Sequence, residues 1–195
     1  AMLAGWRAQG IAADDVVVVE PAEALAADLA ERHGVRVVGG ASESPEGFMP
    51  ATVIFAVKPQ MMDVAAPDYA DFIRGGALAL SIAAGKDLRY FEELFGETSA
   101  IVRTMPNTPA AVGRGITALY PNAHVSNQQK QAAESLLSAV GETVWLDNEE
   151  QMDAVTALSG GGPAYVFLLI ETMTKAGIAA GLPDDVAARL AHTRP

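Results

Sequence analysis

The chain has no cysteine, only three histidines, and 13 Lys and Arg against 24 Asp and Glu. Without cysteine, a disulfide framework and any thiolate-held zinc or iron–sulfur centre are excluded. A formal charge of −11 leaves nothing to build the basic stripe that phosphate backbones require, so no nucleic-acid partner is expected. His33, His124 and His192 lie far apart with no ligand spacing, and no Ser–His–Asp or Cys–His arrangement is visible. No metal and no side-chain nucleophile or proton-transfer catalyst is therefore assigned. Aromatics make up 6% of the residues although half are hydrophobic, so the apolar mass is aliphatic and far too large for a disordered chain. Runs of consecutive apolar residues fall short of the roughly 20 that span a bilayer. The longest, residues 164–170, sits inside an amphipathic pattern, and the first six residues carry no basic flank of a signal peptide. The expectation is a soluble, cytoplasmic protein with no membrane partner.

What is present is an alternation of strand and helix periods. Strands are expected over 16–19, 35–38, 52–57, 77–82, 100–105, 116–120 and 143–146. The all-valine run 16–19 reads as a strand buried on both faces. Helices are expected over 21–33, in the 60s and early 70s, over 87–95 with Asp87 near the cap, and over 126–140 with Ser126 as cap. Repeated units of this kind imply right-handed crossovers and an α/β, Rossmann-like, doubly wound and mostly parallel sheet. Beyond about residue 148 strand patterns stop, and 149–158, 163–180 and 184–191 read as helices, with Gly181-Leu182-Pro183 as a break. The boundary divides a dinucleotide-binding domain, 1–148, from the start of an all-helical domain, 149–195.

Chemistry-bearing residues cluster at the expected strand ends, where ligands bind in such sheets. Glu20 ends a strand and is either a ribose acceptor or a solvated carboxylate. No Arg or Lys follows it within ten residues, so a clamp for a 2′-phosphate is not evident. Ala56-Val57-Lys58-Pro59, Ala83-Ala84 and Met105-Pro106-Asn107 mark three more strand ends. Prolines bracketing Asn107-Thr108 stiffen the last of these. Gly113-Arg114-Gly115 leads into a strand, the reverse of a dinucleotide fingerprint, and reads as turn glycines. Ser159-Gly160-Gly161-Gly162-Pro163-Ala164 reads as the entry to a long helix, whose N–H groups and dipole would suit an anion or would simply begin a helix.

Taken together, these segments resemble pyrroline-5-carboxylate reductase over essentially the whole chain. The carriers are Phe55-Ala56-Val57-Lys58-Pro59, the run from Val102 to Pro109, and above all the run from Met152 through Ser159-Gly160-Gly161-Gly162-Pro163 to Tyr165. The resemblance implies reduction of 1-pyrroline-5-carboxylate to L-proline, in proline biosynthesis, with NADPH or NADH. It implies cofactor contacts by Glu20, Ala56, Val57, Lys58, Pro59, Ala83, Ala84, Met105, Pro106 and Asn107. Substrate contacts are implied for Glu149, Ser159, Gly160, Gly161, Gly162 and Ala164, and a homodimer or larger homo-oligomer through the helical domain. It begins after the family's first strand and glycine loop and stops before its later Ser-Pro-Gly-Gly-Thr loop, which suggests a chain truncated at both ends. Gly161 stands where the family has a small hydroxyl or thiol, so Gly161→Ser is expected to tighten substrate binding. The last four residues, 192–195, match poorly. The alternatives are a catalytically incomplete homologue that only binds or assembles, and another imine or β-hydroxyacid reductase. The latter would carry a helical-domain lysine, for which Lys175 is the candidate.

Overall fold

The computed structural model describes residues 1–193; Arg194 and Pro195, at the end of the expected helical domain, lie outside the described residues. The chain runs α1 (Met2–Ala8), β1 (Val17–Val19), α2 (Glu23–His33), β2 (Arg36–Val38), β3 (Thr52–Phe55), α3 (Met62–Ala65), α4 (Ala70–Arg74) and β4 (Leu78–Ser81). It continues through α5 (Leu88–Phe95), β5 (Ile101–Met105), β6 (Gly115–Pro121), α6 (Asn127–Ser138), β7 (Gly141–Trp145), α7 (Gln151–Val155), α8 (Gly162–Ala179) and α9 (Asp184–His192).

Local chemistry explains the helix ends. Asp87 accepts the Tyr90 N–H at 2.8 Å and starts α5, while Ser126 and Gln129 exchange bonds in a capping box before α6. Gly34 closes α2 at φ 68°, in the left-handed conformation that other residues avoid. The helix expected in the 60s and 70s is broken into α3 and α4 by short 3₁₀ turns, one of them carrying Pro67 near its start.

β3, β4 and β5 are parallel neighbours, and β6 and β7 continue the sheet in the order β3-β4-β5-β6-β7, with β6 antiparallel to β5. β1 and β2 form a separate parallel pair. The expectation of a valine strand buried on both faces is corrected here. Val17, Val18 and Val19 are only partly buried, because among the described residues β1 has a pairing partner on one side alone.

Period-2 alternation divides the core between the two faces of the five-stranded sheet. Val53, Phe55, Ala79 and Ile101 pack with Phe91 and Phe95 of α5 and Ile73 of α4. Leu78, Leu80, Val102 and Leu119 pack on the other side with Ala133 and Leu137 of α6 and with Met2. Helix α1 is fastened to α6 by the Trp6 indole N–H, which donates to the Leu136 carbonyl at 2.7 Å. Gly5 permits the approach, since a Cβ there would lie 2.5 Å from the Ala139 carbonyl oxygen.

The helical region departs from the expected pattern in one important way. α7, a π-turn over Thr156–Gly160, and α8 form one continuous helical run from Gln151 to Ala179, where two separate helices were expected. That run is 29 residues long with a mean hydropathy of 1.3 in its apolar stretch, enough by length and composition alone to cross a membrane. Counting consecutive apolar residues missed it, because Gly, Pro, Thr and a single ion pair interrupt the run without making it polar.

Phe55 is the residue on which the crevice end of the core turns. It stacks on Phe95 at 5.5 Å and meets Tyr69 edge-on at 5.7 Å. Phe55→Ala should lower unfolding free energy by about 3–5 kcal/mol in urea denaturation. A loss below about 1 kcal/mol would show that this cluster is not packed as described.

Candidate active site

The register sets Phe55 opposite Ser81 and Ser81 opposite Arg103, so three parallel strands end on one line. The residues that follow them, Ala56-Val57-Lys58, Ile82-Ala83-Ala84 and Met105-Pro106-Asn107, share one carboxyl edge. Small polar side chains fix that edge. Thr104 donates to the Ser81 carbonyl at 2.9 Å, and the Ser81 hydroxyl accepts the Ala83 N–H at 3.2 Å.

The expected cofactor residues do not all meet the crevice in the same way. Ala56, Val57 and Lys58 are exposed. Pro59 opens a 3₁₀ turn whose Met61 N–H returns to the Lys58 carbonyl at 2.8 Å. Ala83 belongs to the buried core, so only its backbone is left to face a ligand, whereas Ala84 is partly exposed. Glu20 already accepts the Ala22 N–H at 2.9 Å through one oxygen, which leaves the other for a ribose. The Asn107 amide is engaged at both ends: its carbonyl accepts the Ile116 N–H at 3.0 Å and its NH₂ donates one bond to Ser159 Oγ at 3.2 Å. Asn107 is thus a clasp between the β5 loop and the glycine segment. Met105 adds a second contact, its Cε 2.5 Å from where a Cβ at position 160 would stand.

At the glycine segment the expected nest of backbone donors is narrowed. α8 starts at Gly162 with Pro163 in its first turn, but a π-turn runs into it and the Gly161 N–H is bonded to the Thr156 carbonyl at 2.9 Å. Pro163 has no N–H, and the Ala164 N–H returns to the Gly161 carbonyl at 3.0 Å. The reading of Gly161 also changes. A Cβ there would meet the Tyr165 hydroxyl at 2.7 Å, so Gly161→Ser must first displace that ring, and a simple gain in substrate binding is no longer expected.

Glu149 is likewise occupied on one side. Its Oε1 takes the Leu88 N–H at 2.7 Å, at the start of α5, and pairs with the guanidinium of Arg103, which is 7% exposed. Sequence reasoning quoted Arg103 without giving it a role. The signal was there: a cation in the apolar strand Ile-Val-Arg-Thr-Met must find a buried carboxylate.

A second unforeseen cluster bridges the β3 and β4 ends. Asp63 accepts from Lys86 at 2.8 Å and from the Tyr90 hydroxyl at 2.7 Å, and Lys86 lies 3.9 Å above the Tyr90 ring. Those two bonds hold the Asp63 carboxyl below its usual range, with Lys86 the larger influence. Burial, then the Asp63 contact, pushes the Tyr90 phenol up to about 12.

In-register strand ends, small residues along the edge, and a clasped helical segment beside it define a dinucleotide-dependent oxidoreductase with a second, helical element at the site. A family model described as pyrroline-5-carboxylate reductase dimerisation matches residues 149–194. A pyrroline-5-carboxylate reductase from Pseudomonas aeruginosa is 41% identical over 189 residues, covering 97% of this chain and 68% of that one. The structure of a pyrroline-5-carboxylate reductase from Coxiella burnetii matches with a TM-score of 0.88 at 32% identity, over 97% of this chain and 70% of that one. A Plasmodium falciparum pyrroline carboxylate reductase with NADP bound matches with a TM-score of 0.82 at 26% identity, over 97% and 69%. The chain belongs to the pyrroline-5-carboxylate reductase family.

Two outcomes follow. Glu149→Ala leaves Arg103 buried without its partner and should cost about 2–3 kcal/mol in chemical denaturation, the low end for a buried pair because Glu149 is partly exposed; Glu149→Gln should cost less, since it still accepts the Leu88 N–H. Equal costs for the two would show that the Leu88 bond adds nothing, and a negligible cost for Glu149→Gln would show that the charge pair contributes nothing. For Tyr90, a raised pKa means the neutral phenol is favoured by the fold. Its contribution is complete below pH 10 and is lost as pH climbs through about 12. The 295 nm titration of the native protein minus that of Tyr90→Phe should inflect near 12, and an inflection at 10 would show that the phenol is neither buried nor bonded to Asp63 as described.

Proposed function

We propose that this chain reduces 1-pyrroline-5-carboxylate to L-proline with NADPH or NADH, as the names of its relatives suggest. The observation that carries the reading is the clasp of Asn107 on Ser159, with Met105 against Gly160. It sets the end of the cofactor edge beside the segment that the resemblance assigns to substrate. The bound nicotinamide supplies the hydride. The chain's own task is then orientation and exclusion of water, because an iminium carbon is already electrophilic and needs no nucleophile.

In this reading Ala56, Val57, Lys58, Pro59, Ala84, Met105 and Pro106 form the edge along which the dinucleotide lies, with Ala83 contributing backbone alone. Glu20 offers its second oxygen to the adenosine ribose. Asn107 acts by holding Ser159 in place. Ser159, Gly160, Gly161, Gly162 and Ala164 surround the substrate, and Glu149 offers it the oxygen that Leu88 and Arg103 do not use. The division into a dinucleotide domain, 1–148, and a helical domain from 149 follows the end of the strands at Trp145. We place the enzyme in the cytoplasm, where the reduced dinucleotide and its amino-acid product are used.

The chain forms homo-oligomers through the helical region. Tyr165, Val166, Phe167, Leu168 and Leu169 are consecutive and all more than half exposed, so they point around the whole circumference of α8. A helix apolar on every side is buried in its working state, and a second copy that wraps it is the cover we propose.

Two measurements test these points. Oxidation of NADPH or NADH at 340 nm should require pyrroline-5-carboxylate. No turnover would favour the binding-only alternative. Phe167→Glu should convert the oligomer to monomer in sedimentation velocity, and an unchanged sedimentation coefficient would place the subunit contact elsewhere.

A further inference from the structure

Two of the three loops on the dinucleotide edge are almost free of backbone ties. Beyond the Ala83 N–H, no backbone group of residues 84–86 is bonded to other backbone among the described residues, and Gly85 turns at φ 75°. The loop after β3 has a single such bond, from the Met61 N–H to the Lys58 carbonyl, internal to itself. Backbone last joins the two strand ends at Ile82, whose N–H donates to the Phe55 carbonyl at 3.2 Å. Past that bond, the spacing of Ala56-Val57-Lys58 from Ala83-Ala84 is left to side chains.

One side-chain tie crosses the gap. Asp63 leaves α3 next to Met62, which is fully buried and anchors that helix. Lys86 stands beside Asp87, the cap of α5, and its side chain is only 20% exposed. The Lys86 ammonium donates to Asp63 Oδ1 at 2.8 Å, and the Tyr90 hydroxyl donates to the same oxygen at 2.7 Å. The ammonium also lies 3.9 Å from the centre of the Tyr90 ring. A lysine on a surface loop ordinarily keeps its rotamer freedom, and here a carboxylate and a ring face together hold it still. An isolated exposed ion pair contributes little to stability. This one differs in that a second donor shares the oxygen and both ends are rooted beside anchored helices.

We propose that Asp63, Lys86 and Tyr90 are positioning residues for the dinucleotide. They lock the loops after β3 and β4 at one separation, so that the two form a single seat before the cofactor arrives. A seat already in order avoids the entropy of ordering it on binding. The inference rests on the reading of this edge as the dinucleotide seat, and adds to it the device that fixes the seat's width.

Titration of NADH and of NADPH, followed by their fluorescence without the imine, decides it. The proteins are the native chain, Asp63→Ala, Lys86→Met, Tyr90→Phe and the Asp63→Ala/Lys86→Met double variant, each also unfolded in urea. Asp63→Ala and Lys86→Met should each weaken dinucleotide binding about 5-fold, the upper range for an exposed pair. Tyr90→Phe, which keeps the ring under Lys86, should weaken it about 2-fold. The double variant should bind no more weakly than the single ones, because either change opens the same clamp. In turnover the change should fall on the dinucleotide KM, with kcat and the imine KM within about twofold. Unchanged binding, with or without lower stability, assigns the cluster to folding alone and overturns the inference. Tighter binding in Asp63→Ala, with the released lysine meeting the cofactor phosphates, also overturns it, as do losses that multiply in the double variant. If the native chain binds dinucleotide but ignores pyrroline-5-carboxylate, the reductase reading falls and the titration still decides the clamp. Binding of neither dinucleotide removes both.

Discussion

The site depends on a buried guanidinium. Arg103 ends up inside the sheet because β5 is central, with β4 paired on one side and β6 on the other. A cation there is tolerable only beside a carboxylate, and the one that reaches it comes from 46 residues later in the chain. Because Glu149 also takes the first N–H of α5, one carboxylate oxygen joins a strand, a helix start and the beginning of the helical region. The pair therefore does more for geometry than for stability. It determines where the run from Gln151 to Ala179 departs from the sheet, and hence where Ser159 and Gly160 arrive against Asn107 and Met105.

Most of the sheet was legible in the sequence, because its signals are local. Asp87 and Ser126 cap where their side chains suggest, Gly34 stops α2, and 78–81 and 101–104 are strand residues buried on both faces. What failed depended on partners distant in sequence. The valine run 17–19 has the composition of a central strand, but burial is set by the number of neighbours, and β1 has one among the described residues. The glycine segment was legible only in part, for a related reason. Gly-Gly-Gly-Pro is the local signature of a helix start, yet the preceding helix propagates through it by widening to a π-turn, which absorbs the extra residue without breaking the run.

The candidate site was legible as a list of positions and illegible as a set of roles. Three strand ends and the glycine segment were all named from sequence, and register and the Asn107 clasp bring them together. Which atoms remain available was not visible. Asn107 reads as a ligand-binding amide from its stiff loop, and only the distances show both ends of it committed to the protein. Glu20 and Glu149 each have one oxygen engaged. Conversely, Tyr165 carried no signal beyond an aromatic in an apolar helix, because its relation to Gly161 is one of excluded space four residues away.

That relation bears on how so acidic a chain holds an anion. At a net charge of −11 the average field repels a carboxylate, so binding relies on donors within hydrogen-bond reach, where local contacts outweigh screened long-range repulsion. A helix start would ordinarily supply them from backbone. Here the Gly161 N–H is bonded within the π-turn and Pro163 has none, while the helix provides a platform on which positions 157, 161 and 165 lie on one face, four residues apart. On such a face the residue at 161 controls what the residue at 165 can reach. A side chain at 161 would turn the phenol away, whereas glycine leaves that space to the ring, so the two positions have to be considered together.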